Sequence, residues 1–148
     1  MSIEYITTCD NCKNRYAFES GWGYIPFYNT DFCKSWIDSL GNSTYRDELN
    51  SFLKENKDFK SPLEHALYGC QKCKIIYNLE ILCNFKPDFE FKCKNCNIPL
   101  IKLEMGTVNK NHVEYVKFYD SAKNEFKCKC VNCNKELLGI IDSVIYKD

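Results

Sequence analysis

The sequence predicts an α+β protein built from two small antiparallel β modules, each closed on a metal ion, with a helical insertion in the first. Three observations carry this. Four Cys-x-x-Cys pairs, at 9–12, 70–73, 93–96 and 130–133, lie between runs of alternating or β-branched residues. Residues 30–68 break that pattern with apolar residues at helical spacing. Strand, Cys-x-x-Cys knuckle and strand then recur four times along 148 residues.

Residues 3–8 are rich in β-branched and aromatic types and read as a strand running into the first knuckle, with a return strand at 15–19. The loop that follows packs Trp22, Tyr24, Phe27 and Tyr28 around Gly21, Gly23 and Pro26. It is either a plug of core aromatics or an exposed platform for a partner. Phe32, Trp36, Ile37 and Leu40 then predict one helix, and Tyr45, Leu49, Phe52 and Leu53 a second. Ser61-Pro62-Leu63-Glu64 has the form of a capping box, predicting a short third helix through His65, Ala66 and Leu67.

The run 75–83 is apolar on both parities, the pattern of a strand buried on both faces. Beyond it, alternation at 89–92 enters the third knuckle, 100–105 leaves it, and 106–111 is expected to turn the chain into a strand at 113–118. Residues 126–130 enter the fourth knuckle and 137–146 form the last strand. The expected modules are therefore 1–83, with the helical insertion at about 30–68, and 84–148, packed as one unit.

Two cysteines three apart on a tight turn aim both sulfurs at one ion, and a second such turn completes a tetrahedral tetrathiolate site. The eight candidate ligands are Cys9, Cys12, Cys70, Cys73, Cys93, Cys96, Cys130 and Cys133, enough for two ions. Closure in chain order joins Cys9, Cys12, Cys70 and Cys73, then Cys93, Cys96, Cys130 and Cys133. The rival joins the two inner knuckles to each other and the two outer ones to each other. Zn²⁺, two per chain, is the expected cofactor, because all-cysteine structural sites are most often zinc; the same ligands also hold iron in rubredoxin-like electron carriers. Asn97 and Asn134, just after the later knuckles, suit a left-handed backbone. Cys33 and Cys83 read as small buried hydrophobes, Cys128 as a rival to Cys130, and His65 and His112 as non-ligands.

Eleven cysteines without a basic-then-apolar leader at 1–5 place the chain in a reducing cytoplasm rather than among secreted disulfide scaffolds. No apolar run has the length of about 20 residues that spans a bilayer. The 20 basic and 20 acidic residues balance, which withholds the usual footprint of a nucleic-acid binder. Residues 84–135, with ten lysines and six acidic residues, are the basic part. No nucleophile–base set, paired histidine ligands or phosphate loop is present, and a closed tetrathiolate site leaves no position for a reacting water. No enzyme is expected.

The knuckles, together with Gly21-x-Gly23, Pro26 and Tyr68-x-Cys70-x-x-Cys73, resemble those of small uncharacterised bacterial proteins with four zinc-ribbon knuckles. The resemblance covers most of the chain and implies the zinc-ribbon-like fold and the metal, but no activity. These knuckles depart from the commoner Cys-Pro-x-Cys-Gly form by having no Pro or Gly. The expectation is a non-enzymatic adaptor for another protein, binding through Trp22, Tyr24, Phe27 and Tyr28 or through the helical insertion. The alternative is a nucleic-acid binder in which Lys92, Lys94, Lys127 and Lys129 meet phosphates while Phe91 and Phe126 stack on bases.

Overall fold

The structure, a computed structural model, describes residues 1–22, 27–28 and 43–147. The chain forms β1 (Ser2–Cys9), β2 (Arg15–Trp22), β3 (Phe27–Tyr28), α1 (Ser43–Glu55), β4 (Lys60–Ser61), β5 (Leu63–Gly69), β6 (Ile76–Leu82), β7 (Ile101–Lys110), β8 (Val113–Tyr119) and β9 (Gly139–Lys147). The predicted helix around Phe32 to Leu40, together with Cys33, lies outside the described residues.

The fold is mostly β, a closed antiparallel barrel of six strands with one short helix among the described residues, and not the expected α+β pair of zinc-ribbon modules. The sheet runs β2-β1-β9-β8-β7-β5-β6, and β2 also pairs with β5. That extra pairing closes the ring. Along one edge β5 is matched to β6 from Leu63↔Leu82 to Gly69↔Ile76. Its other edge is shared: Glu64 and His65 meet Trp22 and Gly21 of β2, while Leu67 to Gly69 meet Leu103 to Ile101 of β7. The three strands of 84–148, β9-β8-β7, thus stand as a block between β1 and β5 of 1–83 within one sheet.

The demands made on β5 explain why the predicted third helix is a strand. Its backbone groups are paired with three neighbours, and such tertiary pairing overrides a local helix signal. Ser61, read as a helix cap, is buried and serves elsewhere: its hydroxyl donates to the Pro62 carbonyl (3.0 Å) and accepts from the Asn84 amide (3.0 Å). Likewise β6 is not buried on both faces. It is the outermost strand of the sheet, with Asn78 and Glu80 exposed. The turn expected at 106–111 shrinks to Asn111-His112, whose φ values of 53° and 66° suit a two-residue hairpin. Gly106 does not interrupt β7, because the Tyr119 ring covers it.

The described residues form two apolar clusters. The barrel interior holds Phe18, Leu67, Leu103, Val116, Phe118 and Phe126, continuous with Cys9, Cys128 and Cys130. Thr7 is buried here too, its hydroxyl donating to the Tyr16 carbonyl at 3.3 Å. The second cluster lies under α1, where Tyr45, Leu49 and Leu53 form the buried stripe the sequence predicts. Tyr45 meets the rings of Phe85, Phe89 and Phe91 at 5.1–5.5 Å and accepts the Leu82 amide at 3.1 Å. This cluster braces the approach to the third knuckle.

Gly69 stands where the clusters of β5, β7 and the fourth knuckle converge. A Cβ there would meet Phe126 Cζ at 2.7 Å and Leu103 Cδ1 at 2.8 Å. Gly69→Ala is therefore expected to lower stability by about 1–3 kcal/mol through overpacking. Denaturant titration of the metal-loaded protein checks it.

Candidate metal centres

All four knuckles have one backbone design. In each, the first cysteine's amide donates to the carbonyl five residues on: Cys9 to Asn14, Cys70 to Ile75, Cys93 to Ile98 and Cys130 to Lys135, at 2.8–3.0 Å. The same cysteine's carbonyl accepts the amide four residues on, from Lys13, Lys74, Asn97 and Asn134, at 2.8–2.9 Å. Those four residues have φ of 60–66°, the left-handed region. Asn97 and Asn134 fill the role predicted for them. Lys13 and Lys74 fill it without the side chain that favours it.

The sulfurs collect into two quartets able to hold metal ions, Cys9, Cys12, Cys130 and Cys133, and Cys70, Cys73, Cys93 and Cys96, with the ligand atoms of each within 4.8 Å of one another. The chain-order pairing is corrected: the outer knuckles meet each other, and so do the inner ones. The reason lies in the sheet. β1 ends at the first knuckle and pairs with β9, which starts just after the fourth. β5 ends at the second and pairs with β7, which starts just after the third.

The geometry suits a small tetrahedral ion. Four sulfurs at about 2.3 Å from zinc lie about 3.8 Å apart. The sulfur–sulfur separations include Cys9–Cys133 at 4.0 Å, Cys12–Cys130 at 3.6 Å, Cys70–Cys96 at 3.4 Å and Cys73–Cys93 at 3.9 Å. In each knuckle the first cysteine is buried and the second half-exposed. The quartets are neighbours, for the Lys129 amide donates to the Lys74 carbonyl at 2.7 Å.

Each quartet holds one buried thiol of distinctly acidic character, Cys130 or Cys93, and Cys133 is lowered as well, chiefly by its hydrogen bond with Asn11. Burial pushes Cys130 and Cys93 upward, but hydroxyl and amide donors prevail and bring both down to about 6. For Cys130 the donors are Tyr16 and the amides of Cys133 and Asn132; for Cys93 they are Tyr77 and the amides of Cys96 and Asn95. Cys9 is pushed up to about 11, chiefly by burial, and Cys73 to about 12, chiefly by its hydrogen bond with Cys96. A divalent ion draws all four sulfurs into the thiolate form and releases their protons.

Cys128 is not a ligand. It faces the core, 3 % exposed, where burial pushes its thiol up to about 12. Cys83 is half-buried rather than buried, and neither it nor either histidine enters a quartet. His65 lies between Glu19 (3.6 Å) and Glu80 (3.9 Å). Lys92, Lys94, Lys127 and Lys129 are exposed. Phe91 and Phe126, expected to stack on bases, are buried and 7 % exposed. Trp22 is half-exposed, whereas Tyr24 and the side chains of Phe27 and Tyr28 lie outside the described residues.

A signal for the pairing was present in the sequence. The first two knuckles share Cys-x-x-Cys-Lys-x-x-Tyr, at 9–16 and 70–77. The last two share Phe-x-x-Lys-Cys-x-Asn-Cys-Asn-x-x-Leu, at 89–100 and 126–137. Each quartet takes one knuckle of each kind. The alignment also sets Cys128 against Phe91, an apolar position in both copies, and Leu137 and Leu100 donate matching amide bonds to them at 2.8 Å. Comparison with protein-family models, curated proteins and solved structures finds no match. The resemblance to zinc-ribbon proteins therefore rests on the knuckles alone.

The pairing has a direct consequence for metal content. Cys9→Ser with Cys130→Ser should remove one ion of two, whereas Cys9→Ser with Cys70→Ser should remove both; closure in chain order predicts the reverse. Metal analysis of the purified variants separates the cases. Lys13→Asn should raise stability by about 0.5–1 kcal/mol by relieving the left-handed lysine, as measured by the denaturation midpoint of the loaded protein.

Proposed function

We propose that this chain is a zinc-stabilised, non-enzymatic binding protein whose partner is another protein. The observation that carries the reading is the closure of both quartets: four cysteines surround each candidate ion, leaving no coordination position for substrate or water. Zinc fits best, since it accepts tetrahedral thiolates without redox chemistry. Free thiolates need a reducing compartment, and the cytoplasm is proposed. No helix among the described residues is long and apolar enough to cross a membrane.

Exposed apolar groups favour a protein partner at the barrel end away from the knuckles. There β1 pairs with the tail of β9, Ile3 with Tyr146 and Tyr5 with Val144. Tyr146 is 67 % exposed and Trp22, on the adjoining strand, 50 %. Aromatic side chains of this kind anchor protein interfaces. Nucleic acid is the weaker reading on charge. Each tetrathiolate centre carries a charge of about −2 once a divalent ion is bound. Lys13, Lys72, Lys74, Lys94 and Lys135 lie within the knuckles, so much of their charge is spent offsetting the centres.

The purified protein should carry two zinc ions; iron in their place overturns the metal assignment. Trp22→Ala with Tyr146→Ala should abolish retention of a native partner, with metal content unchanged. The wild type should show no affinity for single- or double-stranded nucleic acid at low salt. Tight binding to nucleic acid, lost on Lys127→Glu with Lys129→Glu, would transfer the function to the knuckle end.

A further inference from the structure

The two quartets share a feature beyond their ligands. In the first, the Tyr16 hydroxyl lies 2.9 Å from Cys130 Sγ; in the second, the Tyr77 hydroxyl lies 3.3 Å from Cys93 Sγ. Both tyrosines stand four residues after the second cysteine of a Cys-x-x-Cys-Lys-x-x-Tyr knuckle, at the start of its return strand. Both sulfurs belong to the first cysteine of the opposing knuckle, and both cysteines are buried. The contact therefore crosses between knuckles in each centre, joining the one kind to the other. Two independent positions in the chain have arrived at the same bond.

The direction of that bond follows from the chemistry. A metal-bound sulfur is a thiolate with no proton to give, so the hydroxyl must donate. Tyr77 also accepts the Lys94 amide at 3.2 Å, which orients its proton away from the amide and toward sulfur. We propose that Tyr16 and Tyr77 are positioning residues of the two metal centres, each donating its O–H to one ligand thiolate, Cys130 or Cys93, and so setting how tightly that centre holds its ion. The proposal rests on the reading of the quartets as metal sites. Donors of this kind orient ligands and typically account for 10–100-fold in metal affinity.

Cobalt(II), a tetrahedral probe with sulfur-to-metal absorption, reports on each centre, and a competing chelator gives the affinities. The wild type should bind two ions. Tyr16→Phe should weaken one site by about 10–100-fold, leaving the other unchanged, and Tyr77→Phe should do the same to the other. Loss of the donor leaves a more electron-rich sulfur, so the charge-transfer band of the altered site should move to lower energy while its tetrahedral ligand-field bands persist. That shift separates a tuned ligand from a loosened fold. Two ions held within about twofold of wild-type affinity in both variants, with unmoved bands, would overturn the proposal, as would equal weakening of both sites by either variant. A wild type that binds no cobalt overturns the metal reading itself.

Discussion

A tetrahedral site of four thiolates cannot be closed by one knuckle, and that requirement organises this molecule. Each knuckle brings two sulfurs on a turn held by two backbone bonds, and must find a second. The outer quartet joins residues 9–12 to 130–133, so nearly the whole chain lies between its halves. The inner quartet joins 70–73 to 93–96. One centre is nested inside the other. Closing the longer loop costs more chain entropy, though only logarithmically with length, and the strand pairs β1–β9 and β5–β7 hold the two loops closed.

The sheet order reflects this nesting. On one flank β2-β1-β9 consists of a hairpin bearing a first-kind knuckle and the strand that leaves a second-kind knuckle; on the other flank β7-β5-β6 repeats the set, and β8 lies between them. Each half supplies three strands and one centre. The halves differ in what supports them. The inner centre has the aromatic cluster under α1, with Tyr45, Phe85 and Phe91, whereas the outer centre borders the barrel core through Cys9 and Cys130.

Electrostatics makes the arrangement tolerable. Two adjacent quartets, each holding a divalent ion, would be dianionic and repel, and lysines at the knuckles and in the strands that enter them provide opposite charge close by. The zero net charge of the chain conceals that local excess. The same lysines read in isolation as a phosphate-binding surface, and only the burial of Phe91 and Phe126 on the other strand face removes the stacking half of that picture.

What the sequence determined by itself is local. The ligand identities, the turn geometry at Asn97 and Asn134, the hairpins around the first knuckle and the apolar stripe of α1 follow from residues within a few positions of one another. Tyr16 and Tyr77 were also within reach, through the repeated motif, once the two kinds of knuckle are set side by side. Tertiary structure alone decided the rest. Ser61 to Leu67 carry a helix signal, yet β2, β6 and β7 need a strand there to satisfy their own backbone groups. The partner of each knuckle depends on which strands pair at a distance along the chain, β1 with β9 and β5 with β7. The repeated motifs offer one knuckle of each kind to each quartet, and the strand pairs β1–β9 and β5–β7 select which two meet.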